Sequence, residues 1–138
     1  MENYKYKKFL EILKENNFQK KLDKLAKKYK NKKVVLYGAG FVCDIILDNF
    51  DISKLNIIAI ADIRYKDSNE TYKGIQAIPP TEIYKYEPAI VFITMQHYIQ
   101  TEDYFENILF PVTKKFKYQS ILVYSFSEFL KKMLGIPL

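Results

Sequence analysis

Gly38 and Gly40, in the stretch VVLYGAGFVCDII (Val34 to Ile46), are the residues whose types and spacing first suggest chemistry. A glycine directly after an apolar run permits a tight turn, and a second one two residues on lets backbone approach a pyrophosphate closely. A helix starting there adds free N–H groups and a positive dipole end. Gly38, Ala39, Gly40, Phe41 and Val42 therefore form a candidate phosphate cradle. Cys43 stands where such a turn has its third glycine; it is small enough for the helix to pack on the strand, though less closely. Asp44 follows, and its carboxylate would compete with a phosphate for the helix dipole if turned inward. Turned outward, it only favours the helix start. A helix N-terminus would also lower a thiol pKa, but the packing demand explains Cys43 better than a nucleophilic role does.

Asp62 lies 24 residues after Gly38, where an acid commonly accepts hydrogen bonds from a ribose. Such an acid repels a 2'-phosphate, which favours NAD or another ribose-bearing nucleotide over NADP. Arg64 offers a cation two residues on, and a strand-end aspartate could instead cap its own loop. Further along, Thr94, Gln96, His97 and Tyr98 follow an apolar run in AIVFITMQHY and could contact a ligand. His97 is the only histidine, suited by its usual pKa to acid–base work, although no carboxylate or nucleophile is placed beside it by sequence.

These residues need a scaffold, and the chain supplies alternating elements. Tyr6, Phe9, Leu10 and Leu13 recur at helical spacing, as do Leu22, Leu25, Ala26 and Tyr29, with Asn16-Asn17 as a break between two helices. Buried strands are expected at Val34–Tyr37, Asn56–Ala61, Ile75–Ile78, Ala89–Thr94 and Ser120–Tyr124. Helices are expected at Phe41–Phe50, briefly from Pro80 to Tyr84, at Tyr98–Leu109 and at Ser127–Leu134. DIRYKDSNETYKG reads as an irregular polar loop. The expected architecture is α/β: a Rossmann-like, doubly wound, mostly parallel five-stranded sheet over 32–138, with an N-terminal helical extension over 1–31. Ligands of such sheets sit beyond the C-terminal strand ends, which is where the candidate residues fall.

Composition narrows the function classes. At 138 residues and 49% apolar content the chain suits one folded domain. No apolar run reaches the roughly 18 residues of a membrane span, and MENYKYKKF lacks the apolar core of an export signal, so a cytoplasmic location is expected. One cysteine excludes an internal disulfide and a cysteine-based zinc site, and no other metal-ligand cluster is visible. The net charge of +6 is almost all lysine, with Arg64 as the single arginine and twelve lysines in the first 33 residues. Arginine forks are the usual tool of nucleic-acid recognition, so no nucleic-acid partner is expected, nor a membrane one. The stripes of the N-terminal helices instead call for a surface to cover them: the domain itself, a second copy, or a partner catalytic protein. Tyr4…Lys8 and Tyr29…Lys33 have the Tyr-x-x-x-Lys spacing of short-chain dehydrogenases, but both precede the glycine turn, and no G-x-S-x-G elbow occurs.

VVLYGAG, IIAIAD, YKGIQAIPPTEI and AIVFIT together resemble small Rossmann-like domains of bacterial surface-polysaccharide biosynthesis. Those include the N-terminal domains of sugar O- and N-acyltransferases, of nucleoside-diphosphate-sugar epimerase/dehydratase-type proteins and of FkbM-type methyltransferases. The matching features are Gly38 and Gly40, Asp62, Gly74 with Pro80, and Ala89–Thr94, within Lys32–Tyr98. The resemblance implies a pocket for NAD or a nucleotide sugar lined by Gly38, Gly40 and Asp62; Cys43 and Asp44 depart from the pattern. The expected function is nucleotide or sugar-nucleotide binding with no catalytic residue evident. The alternatives are an interaction or regulatory domain that keeps the shape without a ligand, and a small NAD-dependent or sugar-modifying enzyme using His97.

Overall fold

The computed structural model describes residues 2–122; the helix expected at Ser127–Leu134 lies outside them. The chain is α/β. Two N-terminal helices, α1 (Glu2–Glu15) and α2 (Phe18–Lys28), lead into β1 (Lys33–Tyr37), α3 (Phe41–Asn49) and β2 (Asn56–Ala61). A hairpin of β3 (Glu70–Tyr72) and β4 (Ile75–Ile78) follows, then a 3-10 segment over Pro80–Tyr86 and β5 (Ile90–Ile93). α4 (Tyr98–Tyr104) continues into a π-helical turn at Phe105–Leu109, and β6 (Tyr118–Ser120) completes a sheet of order β3-β4-β2-β1-β5-β6. All neighbours run parallel except β3 and β4.

Strand alternation divides the core between two faces. Val34, Leu36, Ile60, Ala77 and Phe92 pack with α2 and α3, through Leu22, Leu25, Ile45 and Ile46 among others. Val35, Tyr37, Ala61, Ile78 and Ile93 point the other way, against Ile83, Phe105, Leu109 and Phe110. Burial on both faces explains why β1 and β5 read as continuous apolar runs rather than alternating ones. The two N-terminal helices break at Asn16-Asn17 because Asn17 takes left-handed backbone (φ 54°), which asparagine tolerates better than most residues. Phe18, Leu22, Leu25 and Ala26 are buried, so this segment shares the core of the sheet domain. Among the described residues no helix is long and apolar enough to cross a membrane.

Two expectations need correction. The sheet has six strands and is mixed, not five-stranded, because a strand lies inside the segment read as an irregular loop. Lys73 and Gly74 have φ of 50° and 82°, the two positive angles of a tight hairpin turn, and they return β4 alongside β3. β3 is three residues long with no buried side chain, so it carries no apolar alternation to betray it. The last strand, expected at Ser120–Tyr124, begins earlier and runs over Tyr118–Ser120, because pairing to β5 begins where the Val91 N–H meets the Lys117 carbonyl; residues 123 and 124 lie outside the described residues.

Candidate functional site

The crossing from β1 to α3 is built at the C-terminal ends of the parallel strands. Gly38 has φ +113°, and a Cβ there would stand 2.5 Å from the Met95 side chain. Glycine is therefore required by the fold. Thr94 locks the same crossing from β5: its buried hydroxyl lies 2.9 Å from the Tyr37 carbonyl and 2.7 Å from that of Gly38. That hydroxyl serves the turn's own backbone, a use that its sequence position did not reveal.

Gly40 differs in kind. Its φ is negative (φ −141°, ψ −147°), and a Cβ built on it meets no atom within 4 Å. It precedes the first turn of α3, whose N–H groups have no intrahelical acceptor. Cys43 faces inward, fully buried in the core between helix and sheet, and burial pushes its thiol up to about 12. It stays protonated at physiological pH, which argues against a nucleophilic role.

Asp62 turns toward the crossing. Its Oδ2 accepts the Ala39 N–H at 2.8 Å and its Oδ1 accepts the Arg64 N–H at 3.1 Å. The carboxylate thus caps the glycine turn and its own loop, and each oxygen keeps a second lone pair. Arg64 is held differently: its guanidinium lies over the rings of Tyr65 and Tyr72, 5.1 and 5.4 Å from their centroids, and donates to the Tyr65 hydroxyl at 3.0 Å. That hydrogen bond, ahead of smaller charge effects, raises its pKa.

Two lobes open around the turn. The larger, about 710 Å³, is lined by Ala39, Gly40, Phe41, Asp44, Arg64, Tyr72 and Gln96, and also by Lys5 and Tyr6 of α1. The smaller, about 300 Å³, is lined by Gly38, Gly40, Phe41, Val42, Asp62 and Thr94, and by Met95, Gln96, His97 and Gln100. Gly40, Phe41 and Gln96 border both. Gly38 to Val42, Asp44, Asp62, Arg64, Thr94, Gln96 and His97 line one lobe or the other, whereas Cys43 and Tyr98 line neither. Asp44 points into the larger lobe, half-exposed, with its carboxylate 3.9 Å from the Lys73 ammonium, which in turn sits 3.1 Å from Asp48. His97 is exposed at the start of α4 and has no side-chain partner among the described residues.

Lys5, Tyr6, Tyr72, Met95 and Gln100 are the lining residues that sequence reasoning missed. Tyr6 was assigned to a packing stripe, which it also serves: its ring meets Phe41 edge-on at 6.4 Å and its hydroxyl accepts from Asn49 at 2.7 Å. A cleft of similar size, about 720 Å³, opens between α2 and the α3–β2 connection, beside Lys27, Lys30 and Lys54. It borders the N-terminal end of β2, and its lining has neither a glycine turn nor a helix start.

Comparison with curated proteins and with solved structures gives no match. The family model described as C2185-like, N-terminal, matches residues 30–114, which take in β1 through the π-helical turn and every lining residue except Lys5 and Tyr6. With well over half of its length matched, the chain belongs to the C2185-like N-terminal family.

Proposed function

We propose that this chain is a Rossmann-like nucleotide-binding domain for a nucleotide sugar or NAD, acting in bacterial surface-glycan metabolism and carrying no catalytic residues of its own. The observation that carries the reading is Gly40. Its φ is negative and a Cβ built there meets no atom within 4 Å, so neither a left-handed backbone nor crowding calls for glycine. A ligand phosphate approaching the start of α3 does call for one. The topology agrees: with β3 set aside, the parallel strands taken in chain order lie 3-2-1-4-5, the order of dinucleotide-binding sheets, and β1 and β5 flank the switch point. The glycan context rests on the resemblance of the glycine turn, Asp62, Gly74 with Pro80, and β5 to such domains. The free, buried Cys43 suits a reducing, cytoplasmic setting.

A thermal-shift panel of NAD, NADP, coenzyme A and UDP- and dTDP-sugars tests this. At 100 times its Kd a ligand adds about 2.7 kcal/mol, a rise of several degrees for a domain of this size. Gly40→Val, shown to be folded by circular dichroism, should abolish the shift. A folded protein that shifts with none of them leaves the second reading, an interaction domain that keeps the shape without the ligand. Asp62 favours that alternative, because it already occupies the Ala39 N–H.

A further inference from the structure

We propose that Lys5 of α1 and Arg64 beyond β2 act together as diphosphate-binding cations in the larger lobe, so that the ligand is a nucleoside diphosphate or its ester and α1 is part of the site. This rests on the nucleotide-binding reading and deepens it. Lys5 and Arg64 are the lysine and arginine that line the two lobes, and both line the larger one. The smaller lobe, bordered by Val42, Asp62, Met95, Gln96, His97 and Gln100, holds neither cation, and its carboxylate and amides suit a hydroxyl-bearing group such as a glycosyl unit. A ligand spanning both lobes must pass Gly40, which borders each and leaves its approach open.

The two cations are supported before any ligand arrives. Arg64 lies over two tyrosine rings and spends one of its five N–H donors on Tyr65, which restricts a long side chain in advance and lowers the entropy lost on binding. Lys5 rides on a docked helix. Its neighbour Tyr6 is fixed by Asn49, while Tyr6 and Phe9 both pack edge-on against Phe41, the first residue of α3. Docking α1 thus places a lysine beside the α3 N-terminus. The carboxylate that opposes an anion, Asp44, is partly offset by Lys73. Tyr72 contributes its ring to the wall of the same lobe, under the Arg64 guanidinium.

The test measures binding of UDP, ADP, GDP and dTDP, of the corresponding nucleosides, and of inorganic pyrophosphate. It compares the 138-residue protein with its Lys5→Gln, Arg64→Gln and Gly40→Val variants. Lys5 is exposed, so its variant should fold normally, which circular dichroism checks. The expected result is that Lys5→Gln and Arg64→Gln each weaken the bound diphosphate by about tenfold and leave nucleoside binding unchanged. Affinity should also fall with added salt, less steeply in Lys5→Gln than in the parent. If Gly40→Val abolishes diphosphate binding while Lys5→Gln leaves it intact, the cation pair is overturned and the nucleotide site stands. Equal losses for nucleoside and diphosphate in Lys5→Gln would reduce α1 to a structural support and also overturn the proposal. A folded parent protein that binds none of these probes overturns both readings.

Discussion

The Asp62 carboxylate reaches back across 23 residues to accept the Ala39 N–H at 2.8 Å. It ties the end of β2 to the turn that follows β1, the pair of strand ends where a nucleotide would lie. A charge-assisted bond of this kind, partly open to solvent, contributes about 1–2 kcal/mol. Asp62→Ala should lower unfolding stability by about that much, and Asp62→Asn by less, because the amide oxygen can still accept one of the two N–H groups. Urea unfolding of both variants checks the order. Asp62→Asn retaining stability but losing nucleotide affinity would show that the carboxylate also serves a ribose hydroxyl.

The two glycines of the turn should separate cleanly. Gly38→Ala combines positive φ with a clash against Met95 and should cost about 2–4 kcal/mol, whereas Gly40→Ala should stay within about 0.5 kcal/mol of the parent. Chemical denaturation measures both. A large loss at Gly40 would mean that the fold itself requires that glycine, which removes the main support for a ligand there.

Thr94 holds the same turn from the opposite strand. Thr94→Val keeps its shape but strips the hydroxyl from this buried site; the Tyr37 carbonyl keeps the Thr94 N–H at 2.8 Å, while the Gly38 carbonyl loses its donor. A loss of about 1–3 kcal/mol is expected, with Thr94→Ser recovering most of it. If Val and Thr prove equally stable, the hydroxyl is not what secures the crossing.

How much of this was readable in advance depended on whether a feature is local. β1, β2 and β5 announced themselves as apolar runs because both faces of the sheet are covered. The Asn16-Asn17 break did so because asparagine is a poor helix interior, and the glycine turn because strand, glycines and helix are contiguous. β3 stayed hidden, since three unburied edge residues need only backbone pairing to β4. Lys5 and Tyr6 stayed hidden for another reason: the Tyr6, Phe9, Leu13 stripe shows that α1 must dock, but not that it docks over Phe41. The directions of Asp44 and Asp62 are tertiary as well. Each depends on a group distant in the chain, Lys73 for one and the Ala39 N–H for the other.

The buried thiol sets a limit on alkaline stability. Burial raises Cys43 from 9.0 to about 12, so folded and unfolded chains are both protonated below pH 9 and the group has no effect on the balance there. Above pH 9 the unfolded chain ionises first, and stability should fall by about 1.4 kcal/mol per pH unit until the folded thiol also titrates. Tyr37, raised chiefly by burial, and Tyr118, raised by burial and its bond to Glu106, add to the decline above pH 10. Thermal midpoints between pH 8 and 11 should drop accordingly, and Cys43→Ala should flatten the part between pH 9 and 10. In the native protein at pH 8 the thiol should resist alkylation; rapid labelling without unfolding would contradict its burial.

Asp44 offers the sharpest trade between stability and binding. In the first turns of α3 its carboxylate complements the helix dipole, and with Asp48 it holds Lys73 of the hairpin. Asp44→Asn should therefore lower the stability of the unliganded protein by about 0.3–1 kcal/mol. The same change removes the negative side chain from a lobe lined by Lys5 and Arg64, so affinity for UDP or pyrophosphate should rise by about threefold, with the gain shrinking as salt is added. Urea unfolding and titration calorimetry on one preparation measure the two effects together. A loss of UDP affinity, with pyrophosphate unaffected, would instead mark Asp44 as an acceptor for a ligand hydroxyl. The carboxylate would then belong to the recognition of the nucleoside rather than oppose its phosphates.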